Sequence, residues 1–242
     1  MEMPAWQLQH DTLCVIPVRG GSIRIPRKNS LPLGGKPLLL WTLDEVTHLP
    51  PAVRCVVSSE DEEFLAMAQH AGIMAVERPV SLAQADTPTE AVVLDVLDRL
   101  HNWWKWVMVL QVTSPFRTCK DVQALLQLRD LDSSVDSLVT VRAGATTGAA
   151  GSYGIGTGSG SYAGLIPNGA IYCVRTSVVQ GRGQLYGDRL AWYAMHDWCS
   201  IDIDTWADIA MAEGILTKLK WHEMRHKGLL LCGRESNGSL IA

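Results

Sequence analysis

Short apolar runs rich in β-branched residues recur along this chain, each followed by a segment with helical spacing, and that alternation limits the possible folds more than any single motif. Leu13 to Val18, Val53 to Ser58, Ile73 to Val76, Trp106 to Leu110 and Ser137 to Val141 have the length and composition of buried strands. Between them, residues 38–46, 61–70 and 120–129, and a stretch opening at Pro88-Thr89, read as helices. Val92, Val93, Val96, Leu97 and Leu100 show the spacing most clearly. Pro37 and Pro88 stand where helices begin, and Gly72 where one stops. Parallel strands need crossovers, so the pattern predicts an α/β fold: a mostly parallel, doubly wound sheet with helices on both faces. Ala170 to Val174, a strand near Cys199 to Ile203, and a helix from an N-cap at Thr205 to about Lys218 complete the expectation. Residues 142–166, dominated by Gly, Ser, Ala and Thr, read as a flexible excursion within one domain spanning 1–242.

At 242 residues the chain can bury one large core. Met1 to Thr12 lack the basic and apolar regions of a signal peptide, and no apolar stretch is long enough to span a bilayer. A soluble, cytoplasmic protein without a membrane partner is expected. Cys14, Cys55, Cys119, Cys173, Cys199 and Cys232 are scattered without a C-x-x-C pair and read as buried thiols, not as a disulfide or zinc framework. Trp103, Trp104 and Trp106 read as packing. His10, His48, His70, His101 and His196 have no ligand spacing.

In open parallel sheets, ligands collect beyond the carboxyl ends of the strands. The first strand empties into Arg19-Gly-Gly-Ser-Ile-Arg-Ile-Pro-Arg-Lys-Asn29, where Gly20 and Gly21 leave room for an anion and Arg19, Arg24, Arg27 and Lys28 supply charge. With a net charge of −4 overall, such a local cluster suits a multiply charged small anion, not a nucleic acid. It is not a Walker loop, because Gly35-Lys36 is followed by Pro37, and the G-x-G-x-x-G spacing is missing. Glu77-Arg78-Pro79, the 111–117 segment, 167–172 and 200–205 fall at comparable places. Asp202 and Asp204, two apart, would face one side of a strand and hold a hard cation such as Mg²⁺. The alternative for that pair is to cap the following helix.

Together IPVRGGSIRIPRKN, Gly35-Lys36-Pro37-Leu38, Val56-Val57-Ser58, Arg78-Pro79, QVTSPFR, PNGAIY and SIDIDT resemble the CMP-sialic acid synthetase (acylneuraminate cytidylyltransferase) family from about Leu13 to Glu213. The resemblance implies a Mg²⁺-dependent cytidylyltransferase of nucleotidyltransferase fold, whose partners are CTP and an acidic nine-carbon sugar. By the same resemblance Arg19, Gly20, Ser22, Lys28 and Asn29 hold the triphosphate, Arg78 and Thr87 read the cytosine, Gln111, Asn168 and Tyr172 bind the sugar, and Asp202 and Asp204 bind Mg²⁺. Arg19, Lys28 and Asp204 are the catalytic set. Ile23 stands where the family usually has lysine, and Val112 where it has proline. A homodimer is compatible with the resemblance, but 142–166 is shorter than the insertion that builds one. Three other readings compete: a glycosyltransferase using Asp-x-Asp, a degenerate nucleotide binder without turnover, and a zinc protease using His222-Glu-Met-Arg-His226.

Overall fold

The computed structural model describes residues 11–100, 104–143, 148–157 and 166–218. The first strand, β1 (Thr12–Pro17), leads through a 3-10 turn at Lys28–Ser30 and a two-residue hairpin, β2 (Pro32–Leu33) with β3 (Lys36–Pro37), into α1 (Leu38–Val46). Three parallel units follow: β4 (Val53–Ser59) with α2 (Glu62–His70), β5 (Met74–Glu77) with α3 (Thr89–Arg99), and β6 (Trp106–Leu110) with α4 (Cys119–Leu131). Then come β7 (Ser137–Arg142), β8 (Tyr153–Thr157), β9 (Pro167–Arg175), α5 (Thr176–Arg182), β10 (Arg189–Met195) and α6 (Trp206–Lys218).

The eight-stranded sheet runs β5-β4-β1-β6-β9-β7-β10-β8. Neighbours pair in parallel except around β9, which is antiparallel to β6 and β7, and at the edge, where β8 is antiparallel to β10. Alternation along β1 sorts the core onto two faces. Cys14 and Ile16 join Leu39, Phe64, Val122 and Ala212 under α1, α2, α4 and α6, whereas Leu13 and Val15 join Val93, Val96 and Val179 under α3 and α5. The sheet is therefore covered on both sides, as its near-continuous apolar strands require. Fully burying a side chain such as Phe64 contributes about 1.5–3 kcal/mol. Trp104 and Trp106 are buried, as their reading as packing residues requires, and the Arg129 and Arg175 guanidinium groups lie over the Trp106 ring. No helix among the described residues is long and apolar enough to cross a membrane.

The structure differs from the sequence reading at three places. Residues 201–204 belong to no strand or helix, and the strand in that part of the chain is β10, six residues earlier in its last residue than Ile201. Part of the glycine-rich excursion is ordered: β8 forms the sheet edge, and Gly154 is demanded there because a Cβ would lie 2.7 Å from the Trp192 ring. A bare glycine strand is stabilised by an aromatic laid across it, a pairing invisible until β10 is beside it. Cys14, Cys55, Cys173 and Cys199 are free, as expected, but Cys119 is disulfide-bonded. Isolated spacing carries no sign of such a bond. Trp103, His10, His101, Cys232 and the His222–His226 motif lie outside the described residues.

Candidate active site

A cleft of about 340 Å³ opens beyond the carboxyl ends of β1, β5 and β6. It lies where strand order turns from β5-β4-β1 to β6, the place where successive crossovers leave in opposite directions and open a crevice. It brings together Arg19, Ser22, Lys28, Asn29, Arg78, Thr87, Gln111, Asp202 and Asp204. Segments distant in sequence thus meet because parallel strands all end on one side of the sheet.

The basic loop is pinned to the core at Val18 and Ile25, both buried, while Ile23 between them is 79% exposed. Its cations diverge. Arg19 donates to the Gln84 carbonyl at 2.9 Å, so it bridges to the opposite wall of the cleft. Lys28 Nζ donates to the Ile203 carbonyl at 2.6 Å and pairs with Asp204 Oδ1 at 3.0 Å, and Arg24 pairs with Asp204 Oδ2 at 2.8 Å. Arg27, the one non-glycine residue with positive φ among the described residues, points instead toward α2, where it pairs with Asp61 and Glu63 above the Phe64 ring. Arg27 therefore braces the loop, and the four cations do not converge on one anion.

The glycines also divide. A Cβ on Gly20 would lie 2.4 Å from Asp61 Oδ2, so the close approach that demands glycine there comes from a carboxylate of the protein. Gly21 lines the cleft, and a Cβ there would meet nothing within 4 Å. Gly20→Ala is expected to lose about 1–3 kcal/mol in urea unfolding, because Asp61 is held by both Arg27 and its N-cap bond to Glu63. Gly21→Ala should unfold like the wild type. Equal midpoints for the two variants would contradict this division.

Asn29 donates through Nδ2 to the Arg19 carbonyl at 3.0 Å, and its buried Oδ1 has no partner. A carbonyl accepts only, so the amide orientation is determined by its neighbour. Arg78 is buried, with Nε and Nη2 on Glu60 Oε2 at 3.1 and 2.8 Å and Nη2 also on the Val18 carbonyl at 3.0 Å.

Asp202 and Asp204 line the cleft while the alternating Ile201 and Ile203 are buried, and the Ile203 amide donates to the Thr113 carbonyl at 2.7 Å. The same-side placement thus holds without a strand. Helix capping falls to other groups: Asp208 Oδ2 accepts from the Asp204 amide, the Thr205 amide and the Thr205 hydroxyl at 3.0, 2.7 and 2.8 Å. Thr205 is the cap residue, as its sequence position predicts, and Asp202 and Asp204 are left to the cleft. Asp202 is open to solvent on the cleft side, yet desolvation by the surrounding walls raises its pKa, and repulsion from Asp204 and Asp208 adds to this against a Thr113 hydrogen bond and Lys28. Partial burial pushes the Asp204 carboxyl up, but the Lys28 and Arg24 hydrogen bonds and charges outweigh it and hold it below the usual range.

Among the described residues no three His, Cys, Asp or Glu side chains converge as a metal cage. Two carboxylates in one wall fit Mg²⁺ held partly by protein and partly by phosphate oxygens, the ordinary arrangement for this ion. Asp204 is already paired with Lys28 and Arg24, so a cation there would have to displace or share those contacts, whereas Asp202 is open to the cleft.

Gln111 begins the segment that closes the far wall. Its carbonyl accepts from Arg117 Nη1 at 3.0 Å, and Phe116 packs edge-on against Trp41 at 5.9 Å. Asn168 and Tyr172 do not line the cleft. Asn168 sits at a bulge of β9, accepting from Thr140 Oγ1 and donating to Ser200 Oγ at 2.7 and 2.9 Å, so it ties β9 to the turn before Asp202. Tyr172 packs edge-on against Tyr186 at 5.8 Å, and burial raises its phenol pKa. Glu60 escaped the sequence reading, although its place just beyond the carboxyl end of β4 marked it; Arg117 fell within the 111–117 segment of that reading without a role of its own, and Asp208 follows the SIDIDT segment.

The family model described as Cytidylyltransferase matches residues 13–146. Pseudaminic acid cytidylyltransferase of Campylobacter jejuni is 35% identical over 107 residues, covering 43% of this chain and 46% of that protein. N-acylneuraminate cytidylyltransferase of Streptococcus agalactiae is 28% identical over 219 residues, 84% of this chain and 53% of that protein. The matches thus span about half the length of these curated relatives. Among solved structures, a CMP:2-keto-3-deoxy-manno-octonic acid synthetase complexed with CTP aligns at TM-score 0.67 and 16% identity, covering 86% of this chain and 99% of that one. At that identity the likeness concerns the fold.

Proposed function

From a chain that belongs to the cytidylyltransferase family, we propose an enzyme that transfers the cytidylyl group of CTP to an acidic nine-carbon keto-sugar, with release of pyrophosphate. The observation that carries this reading is the cleft itself, in which the basic loop and Asp202-x-Asp204 share one opening at the switch point of the sheet.

In the proposed reaction the sugar's anomeric hydroxyl oxygen bonds to the α-phosphorus, the bond from that phosphorus to the pyrophosphate oxygen breaks, and the hydroxyl proton is lost to solvent. Arg19 and Lys28 offset charge building on the leaving pyrophosphate. Asp202 and Asp204 would hold Mg²⁺, which supplies Lewis-acid stabilisation of phosphate oxygens when bound. Ser22 and the open backbone at Gly21 admit the triphosphate, and Arg78 and the Thr87 region face the base. Gln111 offers amide donors and an acceptor to sugar hydroxyls. Little covalent chemistry is asked of the protein, so positioning and charge are its main contribution. Location in the cytoplasm is part of the same proposal.

The test is pyrophosphate release by purified protein with CTP and Mg²⁺ over a panel of nine- and eight-carbon keto-acid sugars, with EDTA as control. Sugar-dependent, EDTA-sensitive release is the expected result. Binding of CTP without release from any sugar would instead support a nucleotide binder without turnover. Lys28→Ala is expected to weaken CTP by roughly 10-fold or more, as loss of a charge-assisted contact does, with sugar affinity less affected. Unchanged calorimetric affinity for CTP would remove Lys28 from the triphosphate site.

A further inference from the structure

Glu60 is a carboxylate placed directly behind a loop that carries cations for an anion, an arrangement that on charge alone opposes binding. Its side chain is 13% exposed and its two oxygens serve two different segments. Oε1 accepts from the Gly20 amide at 2.7 Å, while Oε2 accepts from Arg78 Nε and Nη2 at 3.1 and 2.8 Å. Arg78 in turn donates to the Val18 carbonyl, at the root of the same loop, at 3.0 Å. The residues after β1, β4 and β5, three neighbouring strands, are thereby joined through one carboxylate. We infer that Glu60 is a positioning residue that locks the basic loop and Arg78 into a single rigid wall of the nucleotide site.

The charge arithmetic supports this role. Arg78 neutralises Glu60, so the pair presents the cleft with no net charge and does not repel a polyanion. The pairing also leaves Arg78 Nη1 as the end of the guanidinium without a hydrogen bond to the described residues, while the side chain lines the cleft. A guanidinium whose charge is already balanced, held in one rotamer, serves as a directional donor to a neutral acceptor such as a base carbonyl better than as a phosphate anchor. Removing Glu60 would leave a buried Arg78 uncompensated and would free the Gly20 amide, and both effects act on nucleotide, not on sugar. The inference rests on the proposed CTP reading for the ligand, but the bracing itself is independent of it.

Glu60→Gln is the discriminating variant, because glutamine keeps the shape and one acceptor but turns an NH₂ group toward one of the two sets of donors. Without nucleotide, amide hydrogen exchange in a peptide covering 18–29 is expected to accelerate, with exchange in β1 unchanged. With nucleotide, CTP affinity by calorimetry is expected to fall roughly 10- to 100-fold, the KM for CTP to rise in parallel, and the KM for the sugar to stay put. Arg78→Met and the double variant complete a cycle, in which the double is expected to lose little more than either single. A merely structural role would lower the unfolding midpoint without splitting the two KM values. Unchanged loop exchange and unchanged CTP affinity in a folded Glu60→Gln protein would overturn the inference. Faster loop exchange in a protein whose wild type does not bind CTP would uphold the bracing and overturn the nucleotide reading.

Discussion

Replacing Asp204 by alanine is expected to lower sugar-dependent pyrophosphate release by at least roughly 10²- to 10³-fold while the protein stays folded. Asp204 combines three roles in one carboxylate. It shares the cleft wall with Asp202, it pairs with Lys28 at 3.0 Å, and it pairs with Arg24 at 2.8 Å. Alanine would remove half of the proposed Mg²⁺ ligand set and release both cations from their present directions. Stability should change little. The side chain is 44% exposed, and screened ion pairs of this kind contribute about 0.2–1 kcal/mol each. The cap of α6 remains, since Thr205 and Asp208 supply it. The measurement is steady-state release at saturating CTP and Mg²⁺, with the urea midpoint as control. Wild-type turnover in this variant would withdraw Asp204 from the metal assignment.

Arg117→Met is expected to cost about 3–5 kcal/mol of stability, the largest loss foreseen for any single position considered. The side chain is 1% exposed and is anchored by the Gln111 carbonyl at 3.0 Å, the Ala170 carbonyl at 3.1 Å and the Thr42 hydroxyl at 3.0 Å. Burial lowers its pKa to about 10, against the opposing pull of the Glu45 and Asp121 carboxylates, so it remains charged at neutral pH. Methionine fills much of the volume but removes the donor that the Gln111 and Ala170 carbonyls share and the cation near the Glu45 and Asp121 carboxylates. In a domain of this size such a loss corresponds to a fall of roughly 10 °C in Tm. Gln111 is tethered by the same bond, so surviving enzyme is also expected to show a raised KM for the sugar. An unfolding free energy within about 1 kcal/mol of wild type, from parallel urea titrations, would show that the network is not limiting.

The two outcomes separate chemistry from architecture. Asp204 stands at the cleft and should affect rate with little change in stability. Arg117 lies beneath it and should affect stability first. Gly20 belongs with Arg117 in this respect: its lack of a side chain serves the packing of Asp61 against the loop, whereas Gly21 leaves the cleft open.

Much of this was legible in local patterning. The helix over 38–46 and the strand over 106–110 appear with the bounds that their spacing predicts, and Thr205 caps the helix that follows it, whereas Asp61, expected as the first helical residue, stands one place outside as the N-cap. Such features depend on residues a few positions apart, so sequence contains their causes. The strand expected at Cys199–Ile203 failed for a different reason. Its alternation of buried Ile with outward Asp is real, but the segment packs on Thr113 without a ladder partner, and partnership is not a local property. The edge strand β8 was hidden for the converse reason, since Gly154 is tolerated only under the Trp192 ring.

Periodicity and short-range capping thus account for the α/β alternation, the two core faces and the candidate residues at strand ends. Which cations face the cleft, why Asp202 and Asp204 leave helix capping to Thr205 and Asp208, and how Glu60 and Arg117 hold the walls follow from packing between distant segments. Those outcomes depend on distances between residues up to 176 positions apart in the chain, as in the Lys28–Asp204 pair. Electrostatics and hydrogen bonding act at a few ångströms, and which groups come that close is known only when the sheet has assembled.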